Sequence, residues 1–133
     1  MNPTVTFVVP GRPVPKARAR VVNGRAFTPK RTKDYEAVVR WCALAAVQGH
    51  RVRLGPWDTG CSYAVRIAVT PPDRRRADVD NIAKAVLDAC NGTVWVDDSQ
   101  VVQLEVFRCA PDAAHPSVVV TVRALVADPG WTT

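Results

Sequence analysis

Hydrophobic and polar positions change rhythm along this chain, and each change of rhythm predicts an element. Residues 3–9 (PTVTFVV) read as a first strand. The next stretch, PGRPVPKARAR, reads as a basic loop, because proline fixes φ and removes a backbone donor. In RVVNGRAFT the pair Asn23-Gly24 predicts a short hairpin. Thr28-Pro29 supplies a helix N-cap followed by a first-turn proline. Tyr35, Val38, Val39, Cys42, Ala45 and Ala46 then fall at helical spacing, to an end near Gly49. The segment RVRLGPWDTG is a connecting loop, after which Cys61, Tyr63, Val65, Ile67 and Val69 alternate as a strand does.

The segment 72–92, PDRRRADVDNIAKAVLDACNG, is the most informative. Val79, Ile82, Ala83, Val86, Leu87 and Cys90 form one apolar helical stripe, and Gly92 is placed as its C-terminal cap. Asp80, Asn81, Lys84 and Asp88 lie off that stripe. The turn VWVDDSQ leads into two strands, 101–109 and 117–125, each with one apolar and one polar face. Such strands suit a sheet covered by helices on one side. The expectation is a two-layer α+β sandwich in the order β-α-β-α-β-β, with a mixed or mostly antiparallel sheet. No repeat, low-complexity tract or long linker divides residues 1–133, so one domain is expected.

Composition narrows the class. A 47% hydrophobic content argues against disorder, and no apolar run is long enough to span a membrane. The opening MNPTVTFVVP lacks a signal peptide's basic start and cleavage site, so cytoplasmic residence is the default expectation. Cys42, Cys61, Cys90 and Cys109 lie far apart, so they read as reduced core thiols. The net charge of +6 is uneven. Residues 1–53 hold eleven Lys/Arg against two acids, and residues 54–133 hold seven against ten. A basic front half fits a polyanionic partner met on one side, although general solubility would explain it too.

The acids carry the candidate chemistry. Asp78-x-Asp80 opens a helix and Asp97-Asp98 lies in a turn before a strand. If the helix packs so that its N-terminal end meets that turn, the carboxylates share a small volume and need a hard divalent cation. Oxygen ligands favour magnesium or manganese, and neither His50 nor His115 is placed to bring zinc. Plainer readings exist for each acid. Asp78 suits a helix cap, Asp80–Lys84–Asp88 an i,i+4 ladder on a wet face, and Asp97-Asp98 an ordinary turn. What those readings leave aside is the basic run Arg74-Arg75-Arg76 beside the acids. Cations to hold a phosphate backbone beside carboxylates to hold a metal are what phosphodiester hydrolysis needs. Lys84 can steady charge on the scissile phosphate. A PD-(D/E)xK reading fits poorly, because three residues rather than one separate Asp80 from Lys84.

The stretch PPDRRRADVDNIAKAVLDACNGTVWVDDSQV resembles the central motif of the RusA family of Holliday-junction resolvases. An arginine run, D-x-D-N, a lysine four residues past the second acid, an aromatic, an acidic pair and Q-V occur in that order. They fall on Arg74–Arg76, Asp78, Asp80, Asn81, Lys84, Trp95, Asp97-Asp98, Gln100 and Val101. The opening PGRPVPKARARVVNGRAFTPKRTKDYE is similar to phage-type members. One departure is Ala77, where some members carry a further arginine.

The resemblance implies a homodimeric, magnesium- or manganese-dependent endonuclease that cuts four-way DNA junctions in pairs. Catalytic roles fall on Asp78, Asp80, Asp98 and Lys84, and metal ligation on Asp78, Asp80 and Asp98 with Asp97 beside them. Lys16, Arg18, Arg20, Arg74, Arg75 and Arg76 are the expected DNA contacts, with a solvated loop as the plainer reading of the first three. Dimer and junction rest on the resemblance alone. The rival expectations are a non-catalytic branched-DNA binder, a nuclease for other branched DNA, and a protein-interaction domain. Trp41, Trp57 and Tyr63 are expected to pack rather than stack on bases.

Overall fold

A computed structural model describes residues 4–17, 20–49, 60–75 and 77–125. Along the chain run β1 (Thr4–Pro10), β2 (Arg20–Val22), β3 (Arg25–Phe27), α1 (Lys30–Gly49) and β4 (Ser62–Thr70). They are followed by α2 (Val79–Cys90), a 3₁₀ turn (Asp98–Gln100), β5 (Val101–Arg108) and β6 (Ser117–Leu125). The expected α+β class and element order hold, and the hairpin on Asn23-Gly24 forms with both turn residues at positive φ, 51° and 77°.

The main sheet has the order β1-β6-β4-β5. Strand β6 is antiparallel to both β1 and β4, whereas β5 is parallel to β4. A parallel pair needs a crossover, and α2 supplies it. Alternation along the strands then fixes one covered face: Val5, Phe7 and Val9 of β1, Tyr63 to Val69 of β4, and Val118 to Ala124 of β6 are buried at every second position. Tyr35, Val39 and Ala43 of α1 and Ile82, Ala83, Val86 and Cys90 of α2 close over them in one hydrophobic cluster. Burying a Val- or Leu-sized side chain contributes about 1.5–3 kcal/mol, so this layer holds the fold together.

Two expectations about packing need correction. Cys61 and Cys90 are buried, but Cys42 is only half-buried and Cys109 is exposed, because β5 ends at Arg108 on the sheet edge. Tyr63 packs in the core, but Trp41 is 73% exposed on the outer side of α1. Trp57 and His50 lie outside the described residues. On β5 the apolar positions Val102 and Leu104 are exposed as well, because an edge strand has a neighbour on one side only.

Candidate active site

The two acid pairs sit at opposite ends of α2. Strand β4 rises to Thr70, the chain turns over, α2 descends from Val79 to Cys90, and β5 rises again beside β4. Two contacts fix the ends independently. Arg108, at the finish of β5, donates from Nη2 to the carbonyls of Arg74 (3.5 Å) and Arg75 (3.2 Å), holding the arginine loop at one end of the sheet. Gln100 donates from Nε2 to the carbonyl of Cys61 (2.9 Å), holding the 3₁₀ turn beside the start of β4 at the other end. At 1.5 Å per residue, the eleven steps from Asp80 to Asn91 put about 16 Å of helix between them. The expected meeting of the helix N-terminus with the Asp97-Asp98 turn within one chain therefore does not occur. Among the described residues, no group of three or more His, Cys, Asp or Glu side chains could hold a metal.

At the upper end, Asp78 occupies the N-cap position but makes no side-chain cap hydrogen bond. Its Oδ2 instead accepts from Asn81 Nδ2 at 2.6 Å. The capping reading thus fails for its carboxylate, although its carbonyl accepts the Ile82 N–H at 3.0 Å. Asp80 and Lys84 are exposed. Neither forms an ion pair among the described residues, so the i,i+4 ladder does not form. Its third member, Asp88, pairs with Lys16 Nζ (3.2 Å), which also meets Glu36 (2.6 Å). Lys16 N donates to the Asn81 carbonyl at 2.9 Å. Lys16, expected to touch DNA, is thus engaged inside the subunit as a tie between α1 and α2. Burial lowers its pKa, but the two carboxylates outweigh that and leave it raised.

A cleft of about 210 Å³ opens beside Asp78. Arg12, Arg31, Arg75, Asp73 and Asp78 bring their charges to its wall, and Pro13, Pro71 and Ile82 line its floor. Arg12 and Arg31 were not singled out by the sequence reading. A run of cations shows no direction until the phase of α1 and the path of the proline loop are known. Arg74 and Arg75 stand exposed, while Arg18, Arg76 and the side chain of Arg20 lie outside the described residues. Ala77 is half-buried on the cleft wall, where a longer arginine would have reached into it.

The lower end is built differently. Trp95 is fully buried, stacks obliquely on Tyr63 (5.8 Å, 44°) and donates from Nε1 to Asn91 Oδ1 at 2.8 Å. Gly92, at φ 77°, lets the chain double back from α2. Gln100, also buried, accepts from the N–H groups of Val96 (3.0 Å) and Asp97 (3.1 Å). The Asp97 side chain in turn accepts from the Gln100 N–H, completing a capping box, and its Oδ2 also accepts from Ser99 N at 3.1 Å. Hydrogen bonds from the Ser99 side chain and backbone hold the Asp97 carboxyl below its ordinary value. Asp97 is therefore the cap of the turn, and the half-buried Asp98 is the residue that the turn presents.

Comparisons with known proteins agree with this arrangement of motifs. The family described as Endodeoxyribonuclease RusA matches residues 10–123. A crossover junction endodeoxyribonuclease RusA of Escherichia coli K12 is 47% identical over 54 residues, covering 38% of this chain and 45% of that protein. Proteins of that name from Shigella sonnei and Enterobacteria phage 82 match with the same identity and coverage. The chain thus aligns with less than half the length of these relatives. The family match spans most of the chain, which belongs to the RusA endodeoxyribonuclease family.

Proposed function

We propose that the chain is an endonuclease for four-way DNA junctions, working as a homodimer with a magnesium or manganese ion at each of two sites. The observation that carries this reading is the open upper end of α2, where Asp78 lines a cleft walled by Arg12, Arg31 and Arg75 and Asp80 is exposed two residues further on. Two aspartates on one helix end suit magnesium, which is commonly held by one or two carboxylates together with water and substrate phosphate. The donor set is oxygen only, and the Asp78 carboxylate makes no cap hydrogen bond to the helix. The residues fit the ion. Such an ion supplies charge neutralisation and activates water near neutral pH.

The rest falls to the side chains. Arg12, Arg31 and Arg75 bind phosphates of the strand to be cut and fix its register, and Arg74 extends that grip along the backbone. Lys84, one turn beyond Asp80 and without an ion pair among the described residues, stabilises charge that grows on the scissile phosphate. Asp98 reaches the reaction from a second copy. In an isologous antiparallel pairing of two β5 edges, the start of one strand lies beside the end of the other. That brings the 3₁₀ turn of one copy toward the arginine loop and the Asp78–Asp80 end of its partner. The exposed apolar side chains Val96, Val102 and Leu104 give such a pairing something to bury.

The test is cleavage of a synthetic mobile four-way junction in magnesium. Asp80→Asn is expected to abolish cutting while junction binding persists. Full cleavage by that variant removes Asp80 from the mechanism, and loss of binding assigns it a structural role instead.

A further inference from the structure

The β2–β3 hairpin stands outside everything described so far. Among the described residues its two three-residue strands pair only with each other, and residues 21–27 are all exposed. A two-stranded hairpin on its own is marginal in water. This one nonetheless has a fixed tip, because Asn23 and Gly24 at positive φ give the turn whose twist matches the strands. Its feet are fixed too. Before it, Lys16 N is bonded to the Asn81 carbonyl, and Ala17 N to Thr32 Oγ1 at 3.4 Å. After it, Thr28-Pro29 leads straight into α1, where Lys33 N bonds the Pro29 carbonyl at 3.1 Å. The hairpin is therefore rooted one residue from Asp80 and beside the Arg31 wall of the cleft. Three strand residues carry it about 10 Å outward.

Its surface is unusual for a solvated loop. Val21 is 71% exposed, Val22 53% and Phe27 41%. The register places Val22, Arg25 and Phe27 on one face, with Arg20 opposite Phe27. Between positions 11 and 33 the chain carries eight Lys/Arg and no Asp or Glu. Apolar side chains among cations need a partner that offers both negative charge and bare apolar surface. A second copy of this chain would set like charge against like charge. A continuous duplex offers the phosphates but keeps its base faces stacked. A branch point offers both, because stacking is broken where the arms separate.

We propose that this hairpin is a wedge that enters the branch point, with the Phe27 ring stacked on an unstacked base pair and Arg25 against the flanking phosphates. It would then be the element that distinguishes branched from linear DNA, with the cleft beside it gripping either. This inference rests on the junction reading above.

The experiment compares an immobile synthetic four-way junction with a linear duplex of equal length, in chelator so that nothing is cut. Phe27→Ala is expected to weaken junction binding about tenfold, or about 1.4 kcal/mol, and duplex binding by less than about twofold, within the range of one lost base stack. Phe27→Trp is expected to restore junction binding, with indole fluorescence quenched by the junction and unchanged by the duplex. Equal losses on both DNAs, no loss on either, or a changed sedimentation mass for Phe27→Ala overturn the wedge and leave the junction reading standing. A wild-type protein that does not prefer the junction overturns the junction reading, and the wedge with it.

Discussion

The two ends of α2 carry the same kind of residue in opposite settings. At the upper end Asp78 and Asp80 are exposed, Asp78 leaves the helix uncapped, and the nearby cations lie along an open cleft. At the lower end the Asp97 carboxylate and the Gln100 amide hold the turn, and a buried tryptophan anchors it from beneath. At one end the carboxylates are exposed at the helix start, and that of Asp78 holds Asn81 rather than the helix N–H groups. The other uses a carboxylate as structure so that its neighbour can be presented. Aspartates adjacent in sequence, Asp97 and Asp98, therefore have different work.

Mixed dimers break or sharpen this comparison most strongly. Homodimers of Asp80→Asn or Asp98→Asn should each lose cleavage by on the order of a hundredfold or more. In a heterodimer of the two variants, the composite arrangement places both damaged residues at one site and leaves the other site whole. That dimer should nick junctions at about half the wild-type rate per dimer without making paired cuts, a proportion set by the two-fold symmetry. If each chain completed its own site, the heterodimer would be as inactive as either parent. Tagged co-purification followed by a nicking assay on a junction in a supercoiled plasmid separates the two results.

Much of this was legible in the sequence, and the reasons are local. The α2 stripe, the Asn23-Gly24 turn and the alternation on β4 and β6 are short-range patterns, and each forms where it was expected. The meeting of the acids was misread because that question is one of topology. A helix between two parallel strands must run against them, so residues just before it and just after it end up apart. The parallel pairing of β4 and β5 is not written in either strand alone. The ion pairs of Lys16, a residue expected to touch DNA, are out of reach of the sequence for a similar reason. Glu36 and Asp88, which neutralise it, come from two different helices 20 and 72 positions away in sequence. Arg12 and Arg31 escaped notice because eleven cations in the first 53 residues give no hint of which share a wall.

The lower end should fail by unfolding where the upper end fails by losing activity. Trp95→Ala removes a fully buried aromatic and is expected to cost about 3–5 kcal/mol. Gln100→Ala leaves the N–H groups of Val96 and Asp97 and the carbonyl of Cys61 without their partner, for about 1–3 kcal/mol. Asp80→Asn, on an exposed position, should leave the denaturation midpoint almost unmoved. Urea unfolding of the three variants checks the contrast. A Gln100→Ala protein as stable as wild type would mean that the turn is held by something other than its capping box.

The smallest effect is the pH response of the cap. Because hydrogen bonds from Ser99 depress the folded-state pKa of Asp97 below 3.8, the ionised carboxylate stabilises the fold. That contribution is fully present above the ordinary carboxylate range and disappears as pH falls through the lowered folded-state value. Asp97→Asn keeps an acceptor for Ser99 N but removes the charge. In metal-free buffer the variant should therefore be slightly less stable than wild type at pH 7, and the gap should close as pH is lowered toward 3. Other carboxyl groups titrate over the same interval, so the informative quantity is the difference between the two proteins at each pH. A variant as stable as wild type at every pH from 7 to 3 would show that Ser99 binds the amide as well as the carboxylate. Asp97 would then serve the turn through its shape alone, and its charge would be left for whatever Asp98 is held out to meet.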